Sequence, residues 1–218
     1  MKFSVVTPNF NGERFLEETI VSVISQREQG VDLEYILVDG ESRDGSLEIV
    51  EKYRKDIDLL IVEKDTGPAN AINKGFERAS GDIVSWLNAD DIYYPKTMLR
   101  VQKLFEEHPE AFFCFGRCPI INENGSEIRA AITKFKELFF PFSSRFVFRS
   151  INYISQPSVF FRRNIVDGSA PYIRENMVAA WDYEFFLRFW HYGKGIVLDG
   201  EPVAAFRWYE SSISGQHF

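Results

Sequence analysis

Asp82-Ile83-Val84-Ser85-Trp86-Leu87-Asn88-Ala89-Asp90-Asp91 decides how the chain is read. The apolar run Ile83–Leu87 has strand length and follows a turn signal, Ser80-Gly81-Asp82. It ends in two adjacent carboxylates. A buried strand that runs into Asp-Asp places anionic groups at the carboxyl edge of a sheet, where open α/β folds bind ligands. Hard divalent cations take oxygen ligands, and Mg²⁺ combines one or two carboxylates with substrate phosphates. The competing reading is structural: Asp90 and Asp91 would only cap a helix that follows Pro95.

Upstream, strands are expected over Phe3–Val6, Leu33–Val38 and Ile57–Val62. Helical spacing lies between them: Phe15, Leu16, Ile20, Val23 and Ile24, then Leu47, Ile49, Val50 and Tyr53. A third helix opens at Pro68, a residue suited to a first helical turn, and carries Ala69, Ile72 and Phe76. Strand-helix alternation predicts an α/β fold, a mostly parallel sheet with helices on both faces. Each strand runs into a loop bearing Asn9, Asp39, Asp65 or Asp90, and these loops converge on one sheet edge. An acidic edge suits a ribose, a base edge and a metal better than bare phosphate. Neither G-x-G-x-x-G nor G-x-x-x-x-G-K-[ST] occurs, which argues against dinucleotide and P-loop enzymes. The charge of a bound phosphate then falls mostly to a metal.

Past Pro95 the pattern changes. Met98, Leu99, Val101, Leu104 and Phe105 make an amphipathic helix. Phe112–Ile121 and Ile128–Ile132 read as antiparallel strands around Asn124-Gly125, and Asn124-Gly125-Ser126 reads as a hairpin turn rather than a glycosylation site. From Phe135 to Phe148 aromatics interleave with basic residues, either covering the core or forming a surface for a lipid-linked acceptor or a membrane. A strand is expected at Gln156–Phe161, a helix at Trp181–Trp190, and short strands at Ile196–Leu198 and Val203–Phe206. Asp182 and Glu184 stand two apart, so one would face a site and the other solvent.

The totals bound the reading. With 218 residues, 45% hydrophobic and 26% charged, one globular domain over 1–218 is expected, its halves 1–95 and 96–218 meeting where the pattern changes after Pro95. A net charge of -7 argues against nucleic acid as partner. Cys114 and Cys118 fit no zinc pattern and are expected as reduced thiols. A strand directly after Met1 predicts no signal peptide, and no apolar run reaches the ~18 residues of a membrane span. The expectation is a cytoplasmic protein, with the inner face of the membrane within reach of the Phe135–Phe148 aromatics.

Six segments, in order, resemble family 2 glycosyltransferases of the GT-A fold: Val5–Gly12, Val38–Ser46, Asp65–Gly75, Leu87–Asp91, Trp181–Glu184 and Arg207–Tyr209. The resemblance implies an inverting transferase that moves a sugar from a nucleotide diphosphate-sugar, a UDP-sugar most often, to a saccharide or lipid-linked hydroxyl in polysaccharide or cell-surface glycan synthesis. It implies nucleotide contacts from Thr7, Pro8, Asn9, Asp39, Asp65, Asn70, Lys74, Asn88 and Ala89. It further implies Mn²⁺ or Mg²⁺ on Asp90, and Asp182 as catalytic base. Asn88 stands at an acidic position of the family's metal motif, Trp181 where many members have Glu, and Tyr209 where many have His. Asn88 and Tyr209 motivate the alternative of a catalytically degenerate nucleotide-sugar-binding or partner-binding domain. A sugar-1-phosphate nucleotidyltransferase would need a Gly-rich basic loop where Thr7–Gly12 stands, and a glycosidase would need two carboxylates flanking the bond.

Overall fold

The computed structural model describes residues 1–163, 173–177 and 180–210. In chain order come β1 (Lys2–Asn9), α1 (Glu13–Ile24), β2 (Asp32–Asp39), α2 (Ser46–Lys52), β3 (Leu59–Val62), α3 (Pro68–Arg78) and β4 (Ile83–Trp86). The second half supplies β5 (Ile92–Tyr93), α4 (Thr97–Glu107), β6 (Ala111–Gly116), β7 (Ile120–Ile121) and β8 (Glu127–Ile128). It continues through α5 (Ala130–Glu137), α6 (Arg145–Ser150), β9 (Phe160–Arg162), α7 (Trp181–Tyr192), β10 (Lys194–Leu198) and β11 (Ala204–Arg207).

The main sheet has the order β10-β6-β9-β4-β1-β2-β3 and takes strands from both halves of the chain. β1 pairs in parallel with β2 and with β4, and β3 adds in parallel beyond β2. β9 lies antiparallel between β4 and β6, while β10 runs parallel to β6. The chain therefore winds outward from β1 to β3, then returns across β1 to β4. That reversal opens a crevice between the carboxyl ends of β1 and β4, the place where open α/β sheets bind ligands.

Strand alternation divides the core into two layers. Phe3, Val5, Leu33, Tyr35 and Leu37 face α1 and α4, meeting Leu16, Ile20, Met98 and Val101. Val6, Ile36, Val38 and Trp86 face α3 and α7, in a layer built mostly of aromatics. Trp86 stacks on Phe186 at 5.5 Å between centroids, and Phe161 meets Phe189 at 4.8 Å. Many of the chain's 21 Phe residues lie here. Helix α3 sits directly on β1: a Cβ on Gly75 would stand 2.4 Å from Val6 Cγ1. Pro68 does open that helix.

The second half departs from expectation in three places. Phe112–Ile121 is two strands, because Pro119 lacks an N–H to continue the ladder; β6 joins the main sheet and β7 a second sheet, β5-β11-β7-β8. Of the expected Ile128–Ile132 strand only Ile128 pairs, in β8 (Glu127–Ile128), as Arg129 turns left-handed (φ 52°) and α5 begins. Gln156–Ser158 is a short 3₁₀ turn before β9. The hairpin between β7 and β8 is present, with Asn122 Oδ1 accepting from the N–H groups of Asn124 and Ser126. Both cysteines are free and buried. Among the described residues, no helix is long and apolar enough to cross a membrane.

Candidate active site at the carboxyl edge of the sheet

Asn9 and Asp39 lie opposite each other at the ends of β1 and β2. The buried Asp39 carboxylate accepts from Asn9 Nδ2 (2.6 Å), Ser42 N (2.7 Å) and Ser42 Oγ (2.8 Å). This ties the first two loops together. Asn9 Oδ1 is buried and has no hydrogen-bond partner. Asp65, from the loop after β3, accepts from Gly67 N at 2.9 Å, and its Oδ2 lies so close to Gly40 that a Cβ there would approach to 2.5 Å. The exposed Phe10 ring borders the same glycine. Thr7 and Pro8 are buried in the strand, with Tyr35 donating to Thr7 Oγ1 at 3.1 Å.

Across the crevice, Asn88, Ala89 and Asp90 follow β4, and Ala89 abuts Gly12. Asn88 Nδ2 donates to Asp91 Oδ2 (3.0 Å) and to Gln156 Oε1 (2.9 Å), while Gln156 Nε2 donates to Trp86 O (2.9 Å). The two carboxylates have different environments. Asp91 is fully buried and also accepts from Arg207 N at 2.9 Å; burial and the neighbouring Asp90 charge push its carboxyl well up. Asp90 is half-buried, and Tyr209 donates to its Oδ2 at 3.1 Å. Burial raises the Asp90 carboxyl too, against the Tyr209 hydrogen bond and the Arg207 charge. Burial and the Asp90 charge push the Tyr209 phenol up, so it stays a donor. Neither carboxylate caps the helix after Pro95: α4 begins after Lys96 without a side-chain cap.

Among the described residues, no three His, Cys, Asp or Glu side chains converge on a cation position. The residues present still fit a divalent cation that arrives with a diphosphate. Asp90 offers one hard carboxylate, Asp91 is spent on the loop, and phosphate oxygens complete such a shell. Both side-chain hydrogen bonds of Asn88 leave through its nitrogen.

Asp182 lies in the first turn of α7, half-buried, with Oδ1 accepting from Tyr183 N at 2.8 Å. Burial raises its carboxyl, while Tyr183 N–H and the Lys136 charge pull it down. Lys136 reaches inward from α5, and its Nζ donates to Ser155 Oγ at 3.1 Å, one residue from the Gln156 that holds Asn88. Glu184 diverges from Asp182 as its spacing requires, but it is not solvated: Arg174 (3.3 Å) and Arg188 (3.2 Å) hold it, and its side chain is only 21% exposed.

Asn70 and Lys74, on α3, are engaged with the loop that carries Asp65 and with neighbouring carboxylates. Asn70 Nδ2 donates to Glu175 Oε2 at 2.9 Å, and Lys74 Nζ bonds Lys64 O and Glu63. Two supporting roles escaped sequence reasoning, although Arg207 opens one of the six resembling segments. Arg207, 1% exposed, donates through Nε to Asp90 O (2.8 Å) and through Nη1 to Asn122 O (3.1 Å), and pairs with Glu18. Its signal was a lone cation closing the apolar run Val203–Phe206. Lys136 was hidden among exposed charges of an aromatic stretch.

The profile of the family described as "Glycosyl transferase family 2" matches residues 4–168. The poly(ribitol-phosphate) beta-N-acetylglucosaminyltransferase TarS of Staphylococcus aureus is 32% identical over 111 residues, 50% of this chain and 19% of TarS. The putative teichuronic acid biosynthesis glycosyltransferase TuaG of Bacillus subtilis is 33% identical over 128 residues, 57% of this chain and 50% of TuaG. These matches thus span half or less of either relative's length. The crystal structure of S. aureus TarS 1-349 with UDP-GlcNAc superposes with a TM-score of 0.80 at 22% identity, covering 100% of this chain and 62% of that one. The mannosyltransferase PcManGT of Pyrobaculum calidifontis, in complex with GDP-Man and Mn²⁺, gives 0.69 at 19% identity over 94% of this chain and 56% of its own. The fold is the GT-A fold, and the chain belongs to glycosyl transferase family 2.

Proposed function

We propose that this chain transfers a sugar from a nucleotide diphosphate-sugar, a UDP-sugar foremost, to an acceptor hydroxyl with inversion at the anomeric carbon. The observation that carries the reading is the crevice between β1 and β4, which gathers Asp39, Asp65, Asn88 and Asp90 at one sheet edge. The UDP-GlcNAc complex of TarS supports a UDP-sugar, and the poly(ribitol-phosphate) and teichuronic acid relatives support a polymer as acceptor. Free thiols agree with a cytoplasmic site of action.

In this reading Asp65, with Phe10 beside it, borders the nucleoside, and Asp39 holds the two loops that shape its pocket. Asp90 is the ligand for Mn²⁺ or Mg²⁺, with Asn88 Oδ1 beside it. The cation supplies positive charge against the departing nucleotide diphosphate. Tyr209 holds Asp90 in place through its hydroxyl. Asp182 takes the proton of the acceptor hydroxyl as that oxygen attacks the anomeric carbon. The carbon–oxygen bond to the diphosphate breaks on the opposite face, so no protein nucleophile is required. Bringing donor and acceptor together supplies much of the remaining acceleration.

Asn88, an amide where the family motif is acidic, favours a second reading, a nucleotide-sugar-binding domain without turnover. Asp182→Asn separates the two. Transfer should fall about 10²–10⁴-fold, the usual worth of a positioned base, while UDP affinity stays close to wild type. Undiminished turnover in that variant would remove Asp182 from its role. Donor binding without turnover in the wild-type chain, on polymer and lipid-linked acceptors alike, would favour the second reading.

A further inference from the structure

The Phe135–Phe148 stretch points two ways. Phe139, Phe140 and Phe148 turn inward around Tyr153, with ring centroids 6.0, 6.5 and 5.5 Å away. Phe135, Leu138, Phe142 and Phe146 turn outward, with 51%, 67%, 69% and 82% of their surface exposed. Large apolar side chains so exposed along one short segment mark an interaction site.

Charge says what kind. Phe146 borders an open cavity of about 570 Å³ with Arg145 and Arg149. These two arginines also line an adjoining cavity of about 370 Å³, with Arg174, Arg188, His191 and Glu184. Glu184 is shared by Arg174 and Arg188. Arg145 Nη2 lies 3.1 Å from His191 Nε2. No carboxylate among the described residues lies within ion-pair distance of Arg145 or Arg149. Arg145 and Arg149 thus stand as exposed cations without a carboxylate partner among the described residues, on a chain whose net charge is -7. A soluble polyanion would engage the arginines but has no use for Phe142 and Phe146. A bilayer with anionic headgroups uses both, taking aromatic side chains at the headgroup boundary and basic ones on its phosphates.

We propose that the face built by α5, α6 and the turn between them docks on an anionic lipid bilayer. Phe142 and Phe146 enter the interface, and Arg145 and Arg149 meet lipid phosphates. The proposal goes beyond the transfer reading and does not depend on it.

The test is flotation of the whole chain with vesicles of phosphatidylcholine alone and of phosphatidylcholine mixed with phosphatidylglycerol. Retention is expected only on the anionic vesicles, weakening as salt screens the arginines. The F142S/F146S and R145E/R149E variants should each reduce the bound fraction at least about tenfold. All four side chains lie at the surface, and an unchanged melting temperature verifies folding. Equal retention on both vesicle types, retention on neither, or unaltered binding by the variants would overturn the proposal. So would dimerisation abolished by F146S, which assigns the face to a second copy. Binding to soluble polyphosphate with no binding to vesicles would overturn it as well.

Discussion

The backbone N–H of Arg207 donates to Asp91 Oδ1 at 2.9 Å, joining two residues 116 positions apart. The same residue's Nε donates to Asp90 O at 2.8 Å. One residue at the end of β11 therefore holds the loop that presents Asp90, and Asp91 works as a strut rather than a ligand.

Arg207→Met should destabilise the fold by about 1–3 kcal/mol, because the partly buried carbonyls of Asp90, Asn122 and Glu123 lose a charged donor. Glu18, half exposed, rehydrates at little cost. Urea unfolding measures the loss. A change below about 0.5 kcal/mol, the scale of ordinary surface substitutions, would deny Arg207 its role.

Activity should fall on acidification at a pH above the ordinary carboxylate range. Burial raises the Asp182 carboxyl, and a base works only when ionised. Removing the nearby cation with Lys136→Met should move the acid limb of kcat/KM to still higher pH, and Lys136→Arg should largely restore it. An unmoved limb in Lys136→Met would show that Lys136 does not act on Asp182.

Glu34 supplies an acid-sensitive part of the stability. Burial opposes its ionisation, but hydrogen bonds from Ser4, Ser80 and Lys2 prevail and hold its pKa at about 2 against 4.5 for a free glutamate. A depressed carboxylate stabilises above its unfolded pKa, and that contribution is lost as pH falls from 4.5 toward 2. Allowing for solvent screening it is about 1–2 kcal/mol. Glu34→Gln should make the unfolding free energy less dependent on pH in that window.

Gly75→Ala should cost about 1–3 kcal/mol, since its methyl group would stand 2.4 Å from Val6 Cγ1 and push α3 off β1. A melting temperature unchanged from wild type would show that the helix shifts freely.

The parallel half was legible because each strand is a short apolar run closed by Asn9, Asp39, Asp65 or Asp90, with helical spacing between. The second half was not, since its strands are short and their partners distant. Nothing local marks β9 as antiparallel between β4 and β6, and the helix after Arg129 starts from one left-handed residue. Motif positions showed where the site lies but not how each side chain is engaged. Asn70 bonds Glu175 across 105 residues, and Asp39 accepts from Asn9 and Ser42, contacts that only folding creates.

The central claim is metal-assisted binding of a nucleotide diphosphate at Asp90. The most direct measurement is a thermal-shift titration with UDP, GDP, dTDP and CDP, with and without Mn²⁺, on wild type and Asp90→Ala. At a hundredfold excess over Kd, a ligand specific for the native state stabilises by about 2.7 kcal/mol, or about 5–10 °C in a chain of this size. Such a shift is expected for UDP with Mn²⁺ and is lost in Asp90→Ala. A UDP shift of the same size without metal, or one that survives in Asp90→Ala, would contradict it.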